Sequence, residues 1–151
     1  MLYLQRTDSN NQYFIDLVEE LDTYLAIVDG EEHAFYDQYN SIDNLSYVVV
    51  AYLNNKAVGC GAIKTYDSNT MEVKRMFIKP EVRNKGIASL ILLELEQWAI
   101  ELGSTRCILE TGNRQKDAIA LYTKNGYYTI TNYGQYIGVE NSVCFEKIIS
   151  K

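Results

Sequence analysis

The sequence predicts an α/β fold, and three observations carry that expectation. Short runs rich in β-favouring residues alternate with stretches whose apolar residues recur every three and four positions, the period of a helix with one buried face. Two β-type runs, Tyr47 to Leu53 and Ala57 to Lys64, are joined by Asn54-Asn55, a dipeptide suited to a tight hairpin. Between Glu72 and Glu110 a strand, a helix and another strand follow one another, the unit that supplies a parallel pair.

Each element follows from local signals. Leu2 to Arg6 forms the first strand candidate, and Ser9-Asn10-Asn11-Gln12 has the form of a capping box in which Ser9 and Gln12 satisfy backbone N–H groups at a helix start. In that helix Phe14, Leu17, Val18, Leu21 and Leu25 share the buried face, Glu19, Glu20 and Asp22 lie outside, and Gly30 marks the end. Glu31 to Asn44 mixes acids with aromatics and reads as a short second helix plus loop. After the hairpin, the turn Asp67-Ser68-Asn69 leads into a strand from Met71 to Ile78, with Pro80 just beyond it. From Asn84 to Leu102 the residues Ile87, Leu90, Ile91, Leu95, Trp98, Ala99 and Leu102 trace a helical stripe that ends at Gly103. Arg106 to Glu110 reads as a strand, Gln115 to Lys124 as a helix stopped at Gly126, and Tyr127 to Thr131 and Val143 to Ile149 as the last strands. With no repeat or low-complexity tract, the 151 residues fit one domain spanning 1–151.

Composition narrows the function classes. Fourteen Lys+Arg against twenty Asp+Glu give a net charge of -6, which disfavours nucleic acid and anionic membranes as partners, because such binding rests on neutralising phosphates. The longest apolar stretches, Val48 to Leu53 and Ile87 to Leu93 with Ser89 interrupting it, fall well short of the ~20 residues of a spanning helix. The first residues lack the basic start and apolar core of a secretory signal, so a cytoplasmic location is expected. Cys60, Cys107 and Cys144 stand far apart inside apolar runs and are expected to be buried thiols. His33 is the only histidine, which leaves too few soft ligands for a recognisable zinc site and little basis for a serine-hydrolase triad; no metal is expected.

The stretch that carries chemistry runs from Glu72 through Arg83-Asn84-Lys85-Gly86-Ile87-Ala88, a strand feeding a basic, glycine-containing turn that opens a helix. The first N–H groups of a helix lack internal partners and lie at the positive end of its dipole, so this turn is suited to a phosphate. Gly86 permits close approach to the backbone, and Arg83 and Lys85 add positive charge. Neither the G-x-x-x-x-G-K-[ST] nor the G-x-G-x-x-G pattern is present, so triphosphate and dinucleotide sites lose their usual support.

Arg83-Asn84-Lys85-Gly86-Ile87-Ala88 resembles the acetyl-CoA signature Q/R-x-x-G-x-G/A of the GNAT family of N-acetyltransferases. The resemblance extends from about Val48 to Lys147 and includes the proline after the strand, the long helix, Ile108-Leu109-Glu110-Thr111, and Ala118-Ile119-Ala120-Leu121-Tyr122 followed by Asn125-Gly126-Tyr127. It implies a mixed central sheet flanked by helices, with two parallel strands splayed to form the cleft for coenzyme A, and acetyl-CoA as cosubstrate.

The same resemblance implies roles for particular residues. Backbone N–H groups from Arg83, Asn84, Lys85, Gly86, Ile87 and Ala88, with Ser89, would hold the pyrophosphate. Met76, Phe77 and Ile78 form the strand end whose main chain, at Met76 and Ile78, would pair with the pantetheine arm, and an N–H near Met76 would face the oxyanion. Gln115 stands where the family more often has an asparagine against that arm. Glu72 matches a glutamate that removes a proton from the amine, directly or through water, and Tyr122 matches a tyrosine that protonates or hydrogen-bonds the departing thiolate.

Other residues are read from their spacing. Arg75, three positions from Glu72, belongs on the opposite sheet face in a regular strand and is expected to be structural, with Glu110 as its partner, although a bulge would upset that count. Asp29, Glu31, Glu32 and Asp37 are candidates to line a cleft for a cationic amine, the loop from Tyr133 to Gly138 has the glycines and tyrosines of a recognition lip, and His33 receives no catalytic role. No cysteine has a visible base partner, so direct transfer is expected, without a covalent enzyme intermediate. The expected activity is acetyl transfer from acetyl-CoA to a primary amine of a small molecule or peptide; the rival is a non-catalytic acyl-CoA-binding or sensing module. A homodimer stays open.

Overall fold

The computed structural model describes residues 1–29 and 45–150. The expected segment Glu31 to Asn44 lies outside the described residues. Among those described, seven strands form one sheet in the order β1-β2-β3-β4-β5-β7-β6. They are β1 (Leu2–Thr7), β2 (Tyr47–Leu53), β3 (Lys56–Asp67), β4 (Thr70–Ile78), β5 (Arg106–Gly112), β6 (Tyr128–Ile130) and β7 (Ser142–Ile148). The helices are α1 (Gln12–Asp29), α2 (Ile87–Glu101) and α3 (Lys116–Lys124). Pairing is antiparallel everywhere except between β4 and β5, so the sheet is mixed. No helix is long and apolar enough to cross a membrane among the described residues.

The β2–β3 hairpin closes as its sequence requires. Asn54 and Asn55 have φ of 52° and 69°, the left-handed pair that a two-residue turn of matching twist demands. The helix-start signal resolves differently. Asn11, rather than Ser9, caps α1: its Oδ1 accepts from the N–H groups of Tyr13 at 2.9 Å and Phe14 at 3.2 Å, while the Gln12 side chain turns to Asp16.

The helices cover opposite faces of the sheet. Phe14, Leu17, Val18, Leu21 and Leu25 of α1 pack on Val48, Val50, Cys60, Ala62 and Phe77. On the other face Ile87, Ile91, Leu92, Leu95 and Ala99 of α2 pack on Val49, Ile63, Met71 and Val73. Leu92 is fully buried where the apolar stripe had placed Leu90 and Leu102, both of which are exposed. Glu96 is also buried; it accepts hydrogen bonds from the Tyr127 hydroxyl at 2.9 Å and Lys147 Nζ at 2.8 Å, which satisfies a carboxylate that periodicity alone would leave in water.

Gly61 lets α2 lie close to β3. A Cβ there would meet Leu95 Cδ1 at 3.0 Å and Ile91 Cγ2 at 3.1 Å, both in the core. Gly61→Val is therefore expected to destabilise the fold by about 1–3 kcal/mol through overpacking, read as a lower urea midpoint with an unchanged slope.

Candidate functional site

The parallel pairing of β4 and β5 is short. It covers Thr70↔Arg106, Met71↔Cys107 and Glu72↔Ile108, after which the strands part. The Lys79 N–H donates to Val58 O on the β3 side at 2.9 Å, so alternation turns the main chain of Ile78 and Met76 toward the open edge. The Ile78 carbonyl there accepts from Arg83 Nε at 2.9 Å. A cleft of about 430 Å³ fills the gap, walled by the end of β4, the turn into α2, and Gln115, Ala118, Leu121 and Tyr122 beside or on α3.

The turn into α2 forms the end of the cleft suited to an anion. Gly86 occupies its N-cap with φ of 79° and no side chain caps the helix. The first-turn N–H groups of Ile87, Ala88 and Ser89 thus have no intrahelical acceptor, and all three residues border the cleft. The Arg83 guanidinium lies 5.5 Å from the Tyr24 ring centroid and 5.8 Å from that of Phe77, which holds its charge at the cleft wall. Asn84 and Gly86 line the same wall, whereas Lys85 is exposed and outside it. The edge of β4 at Met76 and the Ile78 N–H, leading to an uncapped helix end, fits the extended arm and pyrophosphate of coenzyme A.

A smaller cavity of about 90 Å³ adjoins the cleft, sharing Leu21, Met76, Gln115, Ala118 and Tyr122 with it. Glu72 lines this cavity, and both it and Tyr122 are buried. Tyr122 packs edge-on to Tyr127 at 5.8 Å and against Phe145 at 6.2 Å. Burial, reinforced by the charge of Glu110, raises its hydroxyl well above the ordinary phenol range. Glu72 Oε2 accepts from the Tyr133 hydroxyl at 2.6 Å, and Glu72 Oε1 lies 3.8 Å from Lys74 Nζ. Burial lowers the Lys74 ammonium, opposed by the nearby Glu72 carboxylate. Burial and then Glu72 raise the Tyr133 hydroxyl.

The expected position and partner of Arg75 are corrected here. Residue pairing between β3 and β4 shifts between Cys60 and Ala62, and Arg75 has φ of 59°, so a bulge breaks the alternation. Arg75 consequently lines the same cavity as Glu72, and its Nη2 donates to Asp22 Oδ1 of α1 at 2.6 Å. Glu110 instead accepts from the Ser142 hydroxyl at 2.7 Å.

The acetyltransferase (GNAT) family profile matches residues 10–127. The chain belongs to the GNAT family of acetyltransferases. It is 35% identical over 124 residues to an IAA acetyltransferase from Azospirillum brasilense, covering 81% of each chain. Its fold matches a Klebsiella pneumoniae structure described as an acyl-CoA N-acyltransferase, with a TM-score of 0.84, 28% identity and 99% of both chains covered. A GNAT family acetyltransferase from Elizabethkingia anophelis with acetyl-CoA bound has the same fold at 18% identity, with a TM-score of 0.70 and 97% of both chains covered. As a GNAT acetyltransferase the protein uses acetyl-CoA as its cosubstrate.

Two residues that sequence reasoning did not link to Glu72 contact it in the structure. Lys74 is two positions from Glu72 on one strand, so period 2 could have found it. Tyr133 comes from the loop after β6, 61 residues from Glu72, and no local pattern links the two. In the loop expected to form a recognition lip, Tyr136 is buried and lines the small cavity, and its ring lies 5.7 Å from that of Tyr133. Glu31, Glu32, His33, Asp37 and the side chain of Asp29 lie outside the described residues.

The three cysteines are buried. Burial lifts Cys60 and Cys107 from the ordinary 9.0 to about 12, and Cys144 to about 11. Native protein at pH 8 should therefore resist labelling by a disulfide reagent and react at all three thiols in urea. The shift is upward, so the folded chain holds these protons after the unfolded chain has released them. Their contribution to stability is full below about pH 9 and declines toward pH 12.

Proposed function

We propose that the protein transfers the acetyl group of acetyl-CoA directly to a primary amine, with Glu72 as the base and Tyr122 as hydrogen-bond donor to the leaving sulfur. The observation that carries this reading is that Glu72 and Tyr122 line one cavity that opens on the cleft where β4 and β5 part. Glu72 accepts a proton from the incoming ammonium, directly or through water, because only the neutral amine attacks a thioester. The Met76 N–H, on the open edge of β4, faces the oxyanion that forms at the acetyl carbon.

Tyr122 acts as a donor rather than as a full acid. Its hydroxyl holds its proton far more tightly than a thiol does, so it stabilises the departing thiolate by hydrogen bonding, and solvent supplies the proton of free coenzyme A. The N–H groups of Ile87, Ala88 and Ser89 hold the pyrophosphate, with Arg83 beside them and Gln115 along the pantetheine arm.

Calorimetric titration with acetyl-CoA followed by release of free thiol over a panel of polyamines, amino acids, aminoglycosides and peptides tests the proposal. Binding with amine-dependent release is expected. Binding without release on any amine would favour the sensing module, and no binding would overturn the cofactor site.

A further inference from the structure

Among the described residues, four that are not glycine have a positive φ. Asn54, Asn55 and Asn84 lie in turns, and asparagine enters the left-handed region more readily than most residues. Arg75, at 59°, lies inside β4, where its Cβ crowds a carbonyl oxygen and an extended backbone would relieve the strain. Such a residue persists only where its surroundings hold it.

The strained residue decides which edge of β4 presents the Met76 N–H. Phe77 pairs with Cys60 and Lys74 with Ala62, so three steps on β4 answer two on β3, and Arg75 occupies the extra step. Residues two apart on a strand turn their main chains to the same neighbour, so Phe77 and Lys74 both face β3. A regular strand continued from Lys74 would turn Met76 to β3 as well and use its N–H in the ladder. The inserted residue reverses that phase and leaves the Met76 N–H on the edge where β4 and β5 part.

Two ties hold Arg75 in this conformation, both on the α1 side of the sheet. Its side chain is 1% exposed, and Nη2 donates to Asp22 Oδ1 at 2.6 Å. The buried Cys60 thiol donates to the Arg75 carbonyl oxygen at 3.4 Å. Asp22 is itself fixed, because its neighbours Val18, Leu21 and Leu25 on α1 are packed on the sheet. A guanidinium buried this deeply loses heavily if it leaves its carboxylate, so the ion pair resists the backbone rotation that would flatten the bulge.

We propose that Asp22 is a positioning residue for acetyl transfer: it clamps the Arg75 guanidinium, and the clamp keeps the bulge that turns the Met76 N–H to the oxyanion. This rests on the acetyl-transfer reading above and adds to it a residue that lines neither the cleft nor the small cavity.

The test compares Arg75→Ala with Arg75→Gly. Both remove the guanidinium and its charge beside Glu72, and they differ by one Cβ at a backbone angle that glycine adopts freely and alanine does not. With the best amine of the panel, kcat of Arg75→Gly should exceed that of Arg75→Ala by about tenfold, with KM for acetyl-CoA within about twofold in the two variants. Asp22→Asn should lower kcat about fivefold in the parent and by less than twofold in Arg75→Gly, where no side chain remains to clamp. Infrared spectra of bound acetyl-CoA, isotopically labelled at the acetyl carbonyl, report on the donor with no amine present. The carbonyl stretch should lie below that of free acetyl-CoA in the parent and in Arg75→Gly, and return toward the free position in Arg75→Ala. Equal kcat in the alanine and glycine variants, or a carbonyl shift retained in Arg75→Ala, would overturn the clamp. If Arg75→Ala does not fold, an equal loss from Asp22→Asn in the parent and in Arg75→Gly would overturn it instead, as would an Asp22→Asn protein that melts lower with kcat unchanged. A parent that binds acetyl-CoA without any carbonyl shift would overturn the Met76 donor and the clamp with it, so the protein in which the shift is missing tells the two failures apart.

Discussion

Tyr122→Phe is expected to lower kcat by about 10²-fold while leaving the dissociation constant for acetyl-CoA within about twofold. The phenylalanine keeps the ring that packs on Tyr127 and Phe145, so the fold and the shared wall of the cleft should persist. What is lost is one donor to the sulfur as negative charge develops on it. That donor is worth most in a buried site, where water cannot replace it. Because the hydroxyl is raised by burial and by Glu110, its protonated form persists through the neutral and mildly alkaline range. Loss of the Tyr122 proton should therefore impose no fall in rate between pH 7 and about pH 10. Single-turnover kinetics with saturating acetyl-CoA would isolate the chemical step. A variant with normal kcat and weakened acetyl-CoA binding would assign Tyr122 to holding the cofactor and remove it from the chemistry.

The sequence carried most of the sheet and the cofactor cleft because both depend on local signals. The Asn54-Asn55 turn, the strand into Pro80 and the glycine at the start of α2 each dictate backbone geometry within a few residues. Competing local signals were harder to separate. Ser9 and Asn11 are both good caps, and Asn11 wins because its carboxamide reaches two N–H groups of the first turn. Leu90 and Leu92 differ by about half a turn, and which one faces the sheet depends on the helix's rotation against the Gly61 notch rather than on period alone.

The cavity around Glu72 was less legible because it is built from distant segments. A bulge moved Arg75 to the face of Glu72, and strict alternation makes no allowance for one inserted residue. Asp22, Glu72, Thr111 and Tyr133 come from four separate parts of the chain, joined only by the fold. The glycine-containing turn into α2 could be recognised because it is contiguous; the cavity around Glu72 required tertiary structure to assemble it.

Glu72→Gln should lower kcat/KM at pH 7 by about 10²–10³-fold. The amide retains an oxygen able to accept from Tyr133, and its volume is nearly that of the carboxylate, so the 2.6 Å contact and the cavity wall can survive the change. Thermal unfolding is the control for that. The variant lacks a group that can take the amine's proton, and at neutral pH an aliphatic amine arrives largely protonated. Raising the pH provides the discriminating measurement. As the pH approaches about 10 a growing fraction of a primary amine arrives neutral, the base has less to do, and the deficit of Glu72→Gln should shrink by about tenfold or more. A purely positioning role would leave the ratio of parent to variant constant across pH. Tyr133→Phe separates the two further: it keeps the carboxylate but frees it from the hydroxyl that orients it, and a fall of about tenfold in kcat is expected, with the same dependence on pH as the parent. If Glu72→Gln retained full activity at pH 7, the proton would have to leave by another route, and the carboxylate would be assigned to holding Tyr133 and Lys74 in the wall of the cavity.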